Sequence, residues 1–317
     1  MPRSRVGLAQ QENRRANVYH AMDLVRDDLM PRVADQVLLK PNFLSNKNQL
    51  ASSHPDAIRG AIDFLLSCPN PPSEILIAEG GNEDHSGECF DTFGYPAIVD
   101  EYDVPIQLID LNQETEWEMI TAYLHDRSEY QVHMPKRVLD CPCTISVAIA
   151  KTHDVCCVTL ALKNMIMGTI RKEDRVKMHG YPEHKTRELP TESQRFAINV
   201  TRLATRLTPD ISVIDGTVGL QGNGPDGTDA VEMGIAAASA DVYAVDAVIA
   251  KAMGFDPLLL GWLQYGNELG RGNADLSNVD VLGTAIEDIA IDFKPHEKND
   301  LQLQWQDSEA MNYLQSA

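Results

Sequence analysis

The sequence predicts an α/β fold, a largely parallel, Rossmann-like sheet covered by helices, built as one domain or as two α/β lobes. Apolar runs of strand length alternate with longer helical stretches, the spacing of parallel sheets whose strands are buried on both faces. Several of these runs stop abruptly at polar residues, as at Lys40-Pro41-Asn42, Glu79-Gly80-Gly81 and Lys151-Thr152-His153, and open parallel sheets collect ligands at the carboxyl ends of their strands. With 317 residues, 43% hydrophobic and 23% charged, the chain is long enough to bury a full core.

In chain order, Arg5–Ala9 reads as the first strand and the stretch through Asn17–Met22 as a helix. Val37–Leu39 is a strand that Pro41 stops. Pro55 is a good first residue for a helix over Asp56–Leu66. Glu74–Ala78 is the next strand, and Gly80-Gly81 after it lets the backbone approach a ligand closely. The polar loop Glu83-Asp84-His85-Ser86 follows. Ile106–Leu111 reads as a strand, and Glu114–Glu129 has no clear pattern. Thr144–Ala150 is a buried strand that delivers Lys151-Thr152-His153. Asp154 or Thr152 is placed to cap a helix starting near Val155, on which Thr152, Cys156, Thr159 and Lys163 form one stripe. Thr191–Leu207 is an amphipathic helix, Ile211–Ile214 a strand ending at Asp215, and Gly219–Gly227 an irregular, glycine-rich loop. Helices over Val242–Met253, with Asp246 on an otherwise apolar surface, and Pro257–Leu269 precede a final strand at Val279–Leu282. Beyond Ile289 the charged, Gln-rich composition predicts a loosely packed tail. The lobes divide as 1–190, which carries the site motifs, and 191–317, a second lobe or a continuation of the first.

A net charge of −20 and a pI near 4.7 argue against nucleic acid as a partner, since phosphate-backbone binding needs a broad basic face. No apolar run reaches membrane-spanning length and no secretory h-region follows Met1, so a cytoplasmic location is expected, with oligomerisation left open. Six cysteines, at 68, 89, 141, 143, 156 and 157, form no disulfide framework and no ferredoxin-type run. Buried small hydrophobes are their leading role.

Against this acidic background, seven Lys/Arg and only three acids lie between Lys163 and Arg187, a local charge of +4. Such an island faces a bound anion more readily than it arises as random surface. Arg171, Lys172, Arg175 and Lys177 are its candidate phosphate or carboxylate ligands, with Lys40, Asn42, Gly80, Gly81 and Asn164 contributed by strand ends and turns. His153, at the end of a strand, suits proton transfer, although a lone histidine also serves as a structural residue. Lys163 reads as a nucleophilic or anion-binding amine, or as an ion-pair partner. Lys151 joins them as a catalytic candidate. His179, with Glu79 and Asp215, is a candidate for holding a divalent metal. His184 adds a weaker metal candidate, and the glycines around Gly222–Gly227 fit a rim loop better than a dinucleotide fingerprint.

Lys40-Pro41-Asn42, Ala78-Glu79-Gly80, Lys151-Thr152-His153, Thr159–Asn164, His179, Asp241 and Ala244-Val245-Asp246 resemble the family known as domain of unknown function 362. Many of its members carry ferredoxin-like cysteine runs, which this chain lacks, so the resemblance does not extend to an iron–sulfur cluster. The order His153-x9-Lys163-x15-His179 is also similar, more distantly, to the nickel-pincer lactate racemases. That likeness implies His153 as base, Lys163 as the lysine that carries a covalent nucleotide and His179 as a metal ligand, with Lys40 and the Gly80–His85 loop near the substrate. The Arg-Pro segment that binds the substrate carboxylate in those racemases is absent here. The expectation is an enzyme doing acid/base chemistry on a small carboxylate or phosphate, of the racemisation, epimerisation or elimination type. An iron–sulfur or flavin redox protein and a non-catalytic metabolite-binding protein are the alternatives.

Overall fold

The computed structural model describes residues 2–82 and 87–315. The polar loop Glu83-Asp84-His85-Ser86 lies outside the described residues. Eleven strands are described: β1 (Ser4–Gln10), β2 (Gln36–Lys40), β3 (Glu74–Glu79), β4 (Ile106–Asp110), β5 (Trp117–Tyr123), β6 (Glu129–Pro135), β7 (Thr144–His153), β8 (Cys157–Thr159), β9 (Ile211–Leu220), β10 (Ala230–Ser239) and β11 (Val279–Gly283). Nine of them form one sheet, in the order β11-β1-β10-β9-β7-β2-β3-β4, with β8 paired to β7. It is the expected largely parallel sheet with an antiparallel insertion, because β10 runs against both β1 and β9. Strands from both sides of residue 190 share it.

The helices that matter below are α1 (Arg14–Leu24), α2 (Pro55–Leu66), α3 (Ala161–Met167), α4 (Thr191–Leu203), α5 (Val242–Ala252) and α6 (Gly261–Glu268). Side chains alternate across each strand. Val37, Leu39, Ile75, Ile77, Ile145 and Val147 join a core with residues of α1 and α2. Leu38, Leu76, Ala148, Ala150 and Ile214 join the other core, with residues of α3, α4 and α5. Burial on both faces is why these strands read as unbroken apolar runs.

Three expectations are corrected. The segment from Val155 is not a helix. Strand β7 continues to His153, the chain turns, and β8 pairs back on it with Lys151 opposite Thr159. Cys157 takes a positive φ of 63° there, and the helix begins only at Ala161. The stretch Glu114–Glu129, which has no clear pattern in the sequence, supplies β5, which pairs with β6 as a separate antiparallel ribbon. The chain beyond Ile289 is anchored: Phe293, Trp305, Ala310 and Leu314 are buried, and Trp305 donates from Nε1 to the Leu259 carbonyl at 2.7 Å.

Candidate functional site

Because β7, β2 and β3 are parallel neighbours, their carboxyl ends come together. Lys40 pairs in register with Ser146, so β7 runs on past the end of β2 and lifts Lys151 and His153 above the sheet edge. A cavity of about 580 Å³ opens there, and Asn42, Glu79, Lys151, His153, Lys163 and Arg175 are among its lining residues. That volume is typical of small-ligand sites.

A buried polar network forms its floor. Lys40 is fully buried and donates from Nζ to the Glu79 carboxylate, to Asn164 Oδ1 at 2.9 Å and to the Pro41 carbonyl at 2.6 Å. Asn164 in turn donates to the Lys40 carbonyl at 3.1 Å and to Ser146 Oγ at 3.0 Å, and accepts from Asn42 Nδ2 at 3.1 Å. Burial drives Lys40 down to about 8 and Glu79 up, each partner's charge opposing the drift.

Helix α3 carries Lys163, and its start is held from below. Asp246 on α5 is fully buried and accepts from the backbone N–H groups of Ala161 at 2.8 Å and Leu162 at 3.2 Å. A carboxylate here satisfies N–H groups that have no partner within the helix. Lys163 Nζ donates to Thr159 Oγ1 at 3.3 Å and lies 5.7 Å from the centroid of the Phe196 ring.

His153 and His179 lie nearly parallel, their centroids 6.4 Å apart and their planes 16° from each other. Each has a carboxylate at Nδ1: Asp154 Oδ1 is 3.0 Å from His153 and Glu192 Oε1 is 2.8 Å from His179. Arg187 joins the two carboxylates, reaching Asp154 Oδ2 at 3.1 Å and also pairing with Glu192. His153 Nδ1 is in addition 3.1 Å from the Val155 N–H. Donation to Asp154 leaves Nε2 as a base, whereas acceptance from Val155 places the proton on Nε2. Burial, reinforced by the Lys163 cation, lowers His153 to about 3. His179 is also lowered, by burial, against the pull of Glu192. Burial alone would raise Asp154, but the neighbouring His153 and Arg187 hold it below the usual carboxylate range.

Of the residues singled out from the sequence, His153, Lys163, Lys151, Asn42, Glu79, Gly80, Lys172, Arg175 and His179 line the cavity. Lys40 and Asn164 lie beneath it. The Gly81 carbonyl accepts from Arg175 Nη1 at 2.9 Å, so Gly81 supports the wall. Arg171 and Lys177 point elsewhere: Arg171 pairs with Asp174 at 2.9 Å, and Lys177 Nζ sits 4.1 Å from the Tyr130 ring centroid. Asp215 belongs to a separate cavity of about 230 Å³, where it pairs with Arg14 at 2.6 Å. His184 and Pro225, the latter from the glycine-rich loop, also line the main cavity. The Asp154–Arg187–Glu192 bridge went unseen in the sequence, as did Gln302, whose Nε2 donates to the His153 carbonyl at 2.8 Å.

The metal reading does not fit these residues. His179 faces Glu192, Glu79 is bonded to Lys40 and Asp215 to Arg14, and among the described residues no three His, Cys, Asp or Glu converge to hold an ion. An iron–sulfur cluster fits no better. Cys156 and Cys157 flank a small crevice beside Trp262, while Cys68, Cys89 and Cys143 lie in the core on the other face of the sheet, and none lines the main cavity. A nucleotide attached at Lys163 is chemically compatible, because burial lowers that amine toward its nucleophilic form.

Gly168 closes the floor. A Cβ there would come within 2.1 Å of Lys40 Nζ and 2.9 Å of Glu79 Oε1. Gly168→Ala is expected to push Lys40 off its partners and to destabilise the protein by roughly 1–3 kcal/mol through overpacking. Urea denaturation checks this, and an unchanged midpoint would show that the floor yields freely.

Fold and site together define an α/β protein with a basic, ligand-sized cavity at the carboxyl ends of parallel strands. The chain belongs to the family described as domain of unknown function (DUF362), which matches residues 37–251. It is 24% identical over 239 residues to a thylakoid-associated protein of Synechocystis sp., covering 74% of this chain and 68% of that one. Among solved structures it is similar to the lactate racemase apoprotein of Thermoanaerobacterium thermosaccharolyticum, with a TM-score of 0.44 and 11% identity over 68% of this chain. The chain spans half the length of that racemase. Among the described residues no helix is long and apolar enough to cross a membrane.

Proposed function

We propose that the protein is an enzyme that binds a small carboxylate or phosphate and moves a proton on it, in a racemisation, epimerisation or elimination. One observation carries this reading. Lys163 and Arg175 are both buried and line one cavity, and among the described residues neither has a carboxylate within 4.0 Å. Among the described residues the hydrogen-bond acceptors of Arg175 are neutral, the Gly81 and Ile170 carbonyls at 2.9 and 3.3 Å among them. Buried cations left without counter-ions are costly, and an anionic ligand removes that cost.

His153 supplies the proton-transfer group. A bound anion near the imidazole would raise its pKa from the value to which burial depresses it. Asp154 would accept the Nδ1 proton of the base form and stabilise the imidazolium once Nε2 has taken up the substrate's proton. Arg187 would keep both histidine–carboxylate pairs aligned.

Calorimetric titration with inorganic phosphate and with a series of small carboxylates tests the binding. At least one should bind at pH 7, with a loss of about tenfold or more in Lys163→Met and in Arg175→Ala, equivalent to ~1.4 kcal/mol. The proton transfer is then read as exchange of the bound acid's α-hydrogen with deuterium oxide. His153→Asn should slow it by roughly 10²–10⁴. Absence of binding by every anion, or exchange that ignores His153, would overturn the reading.

A further inference from the structure

We propose that Lys151 is a carbonyl-reactive amine, and that the anion bound in the cavity is a small oxo acid captured there as a Schiff base. The inference rests on the anion-binding reading above and narrows it to a substrate class.

The observation is an asymmetry between two buried lysines. Lys40 is fully buried and has Glu79 against its ammonium. Lys151 is equally buried, at 1% exposure, yet among the described residues its amine is hydrogen-bonded to the Ala51 carbonyl alone, at 2.8 Å. Lys151 reaches the ligand cavity whereas Lys40 lies below it. A buried amine that has a backbone carbonyl for company and no counter-ion is more stable without its proton.

Lys163 strengthens the case. Its Nζ donates to Thr159 Oγ1 at 3.3 Å, and Thr159 is the residue directly across the β7–β8 ladder from Lys151. The two amines therefore approach the cavity side by side. Lys163 is the more exposed of the two, at 7%, and faces the ring of Phe196, which favours a cation. Lys163 and Lys40 push the proton off Lys151, Glu79 and Asp226 hold it on, and burial outweighs them all. Lys163 is then the cation and Lys151 the nucleophile, the reverse of what the racemase likeness implies.

The chemistry balances without an added reagent. The Nζ lone pair attacks the carbonyl carbon, and the C=O π electrons move to oxygen. A proton passes from nitrogen to that oxygen, with His153 in the same cavity to relay it. The second proton of the nitrogen, relayed the same way, lets the oxygen leave as water, giving the imine. Amine plus oxo acid becomes imine plus water, with no change of oxidation state. The carboxylate of the oxo acid would meet Lys163 and Arg175. Once protonated, the imine draws electrons from the adjacent carbon, the position from which His153 would take a proton.

The test uses the full chain with glyoxylate, pyruvate and oxaloacetate as probes, each with sodium cyanoborohydride at pH 7, followed by intact mass and peptide mapping. One reduced adduct on Lys151 is expected with at least one probe. Lys151→Arg should abolish it while still unfolding in a single cooperative thermal transition. Lys163→Met should raise the pH at which trapping is half-maximal by about one unit or more, since removing the neighbouring cation restores the proton to Lys151. An adduct on Lys163 alone, labelling spread evenly over exposed lysines such as Lys47 and Lys185, or no adduct with any probe would overturn the assignment. Phosphate binding separates the two levels: binding without an adduct removes the amine chemistry and leaves the anion site standing, whereas loss of both removes the proposed function as well.

Discussion

Replacing Glu79 by alanine is expected to lower the free energy of unfolding by about 3–5 kcal/mol, the cost of leaving a buried charge without its partner. Glu79 is 1% exposed and Lys40 wholly buried, so water cannot take over the missing charge. The damage should spread, because Lys40 also holds Asn164, and Asn164 holds Asn42 and Ser146. Anion affinity would change together with stability. A paired replacement of Lys40 by methionine and Glu79 by leucine should recover most of the stability, since well-packed apolar residues commonly substitute for a buried pair, yet leave the cavity floor without its polar network. Urea unfolding of the three variants measures this. A loss below about 1 kcal/mol in Glu79→Ala would mean that the pair sits in a wetter place than its burial indicates.

The second large effect concerns pH. Burial raises Asp246 to about 7, while the Ala161 and Leu162 N–H groups oppose the shift. In the unfolded chain the carboxyl returns to about 4. Between these values the folded state binds more protons than the unfolded one, so this residue makes stability fall as pH rises, by at most about 1.4 kcal/mol per pH unit. Asp246→Asn removes the titration. The variant's stability minus that of the wild type should therefore climb from pH 4 to pH 7 and level off above. His153 and His179, both lowered on folding, contribute the opposite slope at acid pH, but they are common to both proteins and cancel in the difference. A flat difference would show that Asp246 is ionised throughout, held by its two N–H donors.

Much of this architecture was legible because burial on both faces writes strands as uninterrupted aliphatic runs. Val37–Leu39, Glu74–Ala78 and Thr144–Ala150 each stop where the chain leaves the core, so Lys40, Glu79 and His153 could be placed at strand ends. The hairpin after His153 was not legible. Its turn puts Cys157 at positive φ, a position at which glycine or asparagine would have given warning, and the polar residues of the segment happen to fall at helical spacing. Strand β5 alternates poorly because most of its residues are only partly covered. The composition of the tail hides its anchors, since Trp305 and Leu314 stand in a polar, Gln-rich stretch with no regular apolar spacing. The Asp154–Arg187–Glu192 bridge depends on the turn after β7 meeting the start of α4 and the loop before it, 33 residues further on, for which no local pattern exists. The basic island was informative as a whole and misleading in its details: Arg175 and Arg187 reach the cavity, while Arg171 and Lys177 serve neighbouring acids and rings.

Strand β1 has a consequence for how the chain is made. Its neighbours in the sheet are β10 and β11, more than 200 residues further along the sequence. A chain emerging from the ribosome must carry Val6 and Leu8 unpaired until β10 has been synthesised, whereas β2, β3 and β7 can assemble the ligand-binding edge earlier. Contacts of such long range slow folding and leave apolar segments exposed to self-association in the interval. Strand β1 is thus synthesised well before either of its partners, and it takes its place in the sheet only after β10 and β11 have followed it.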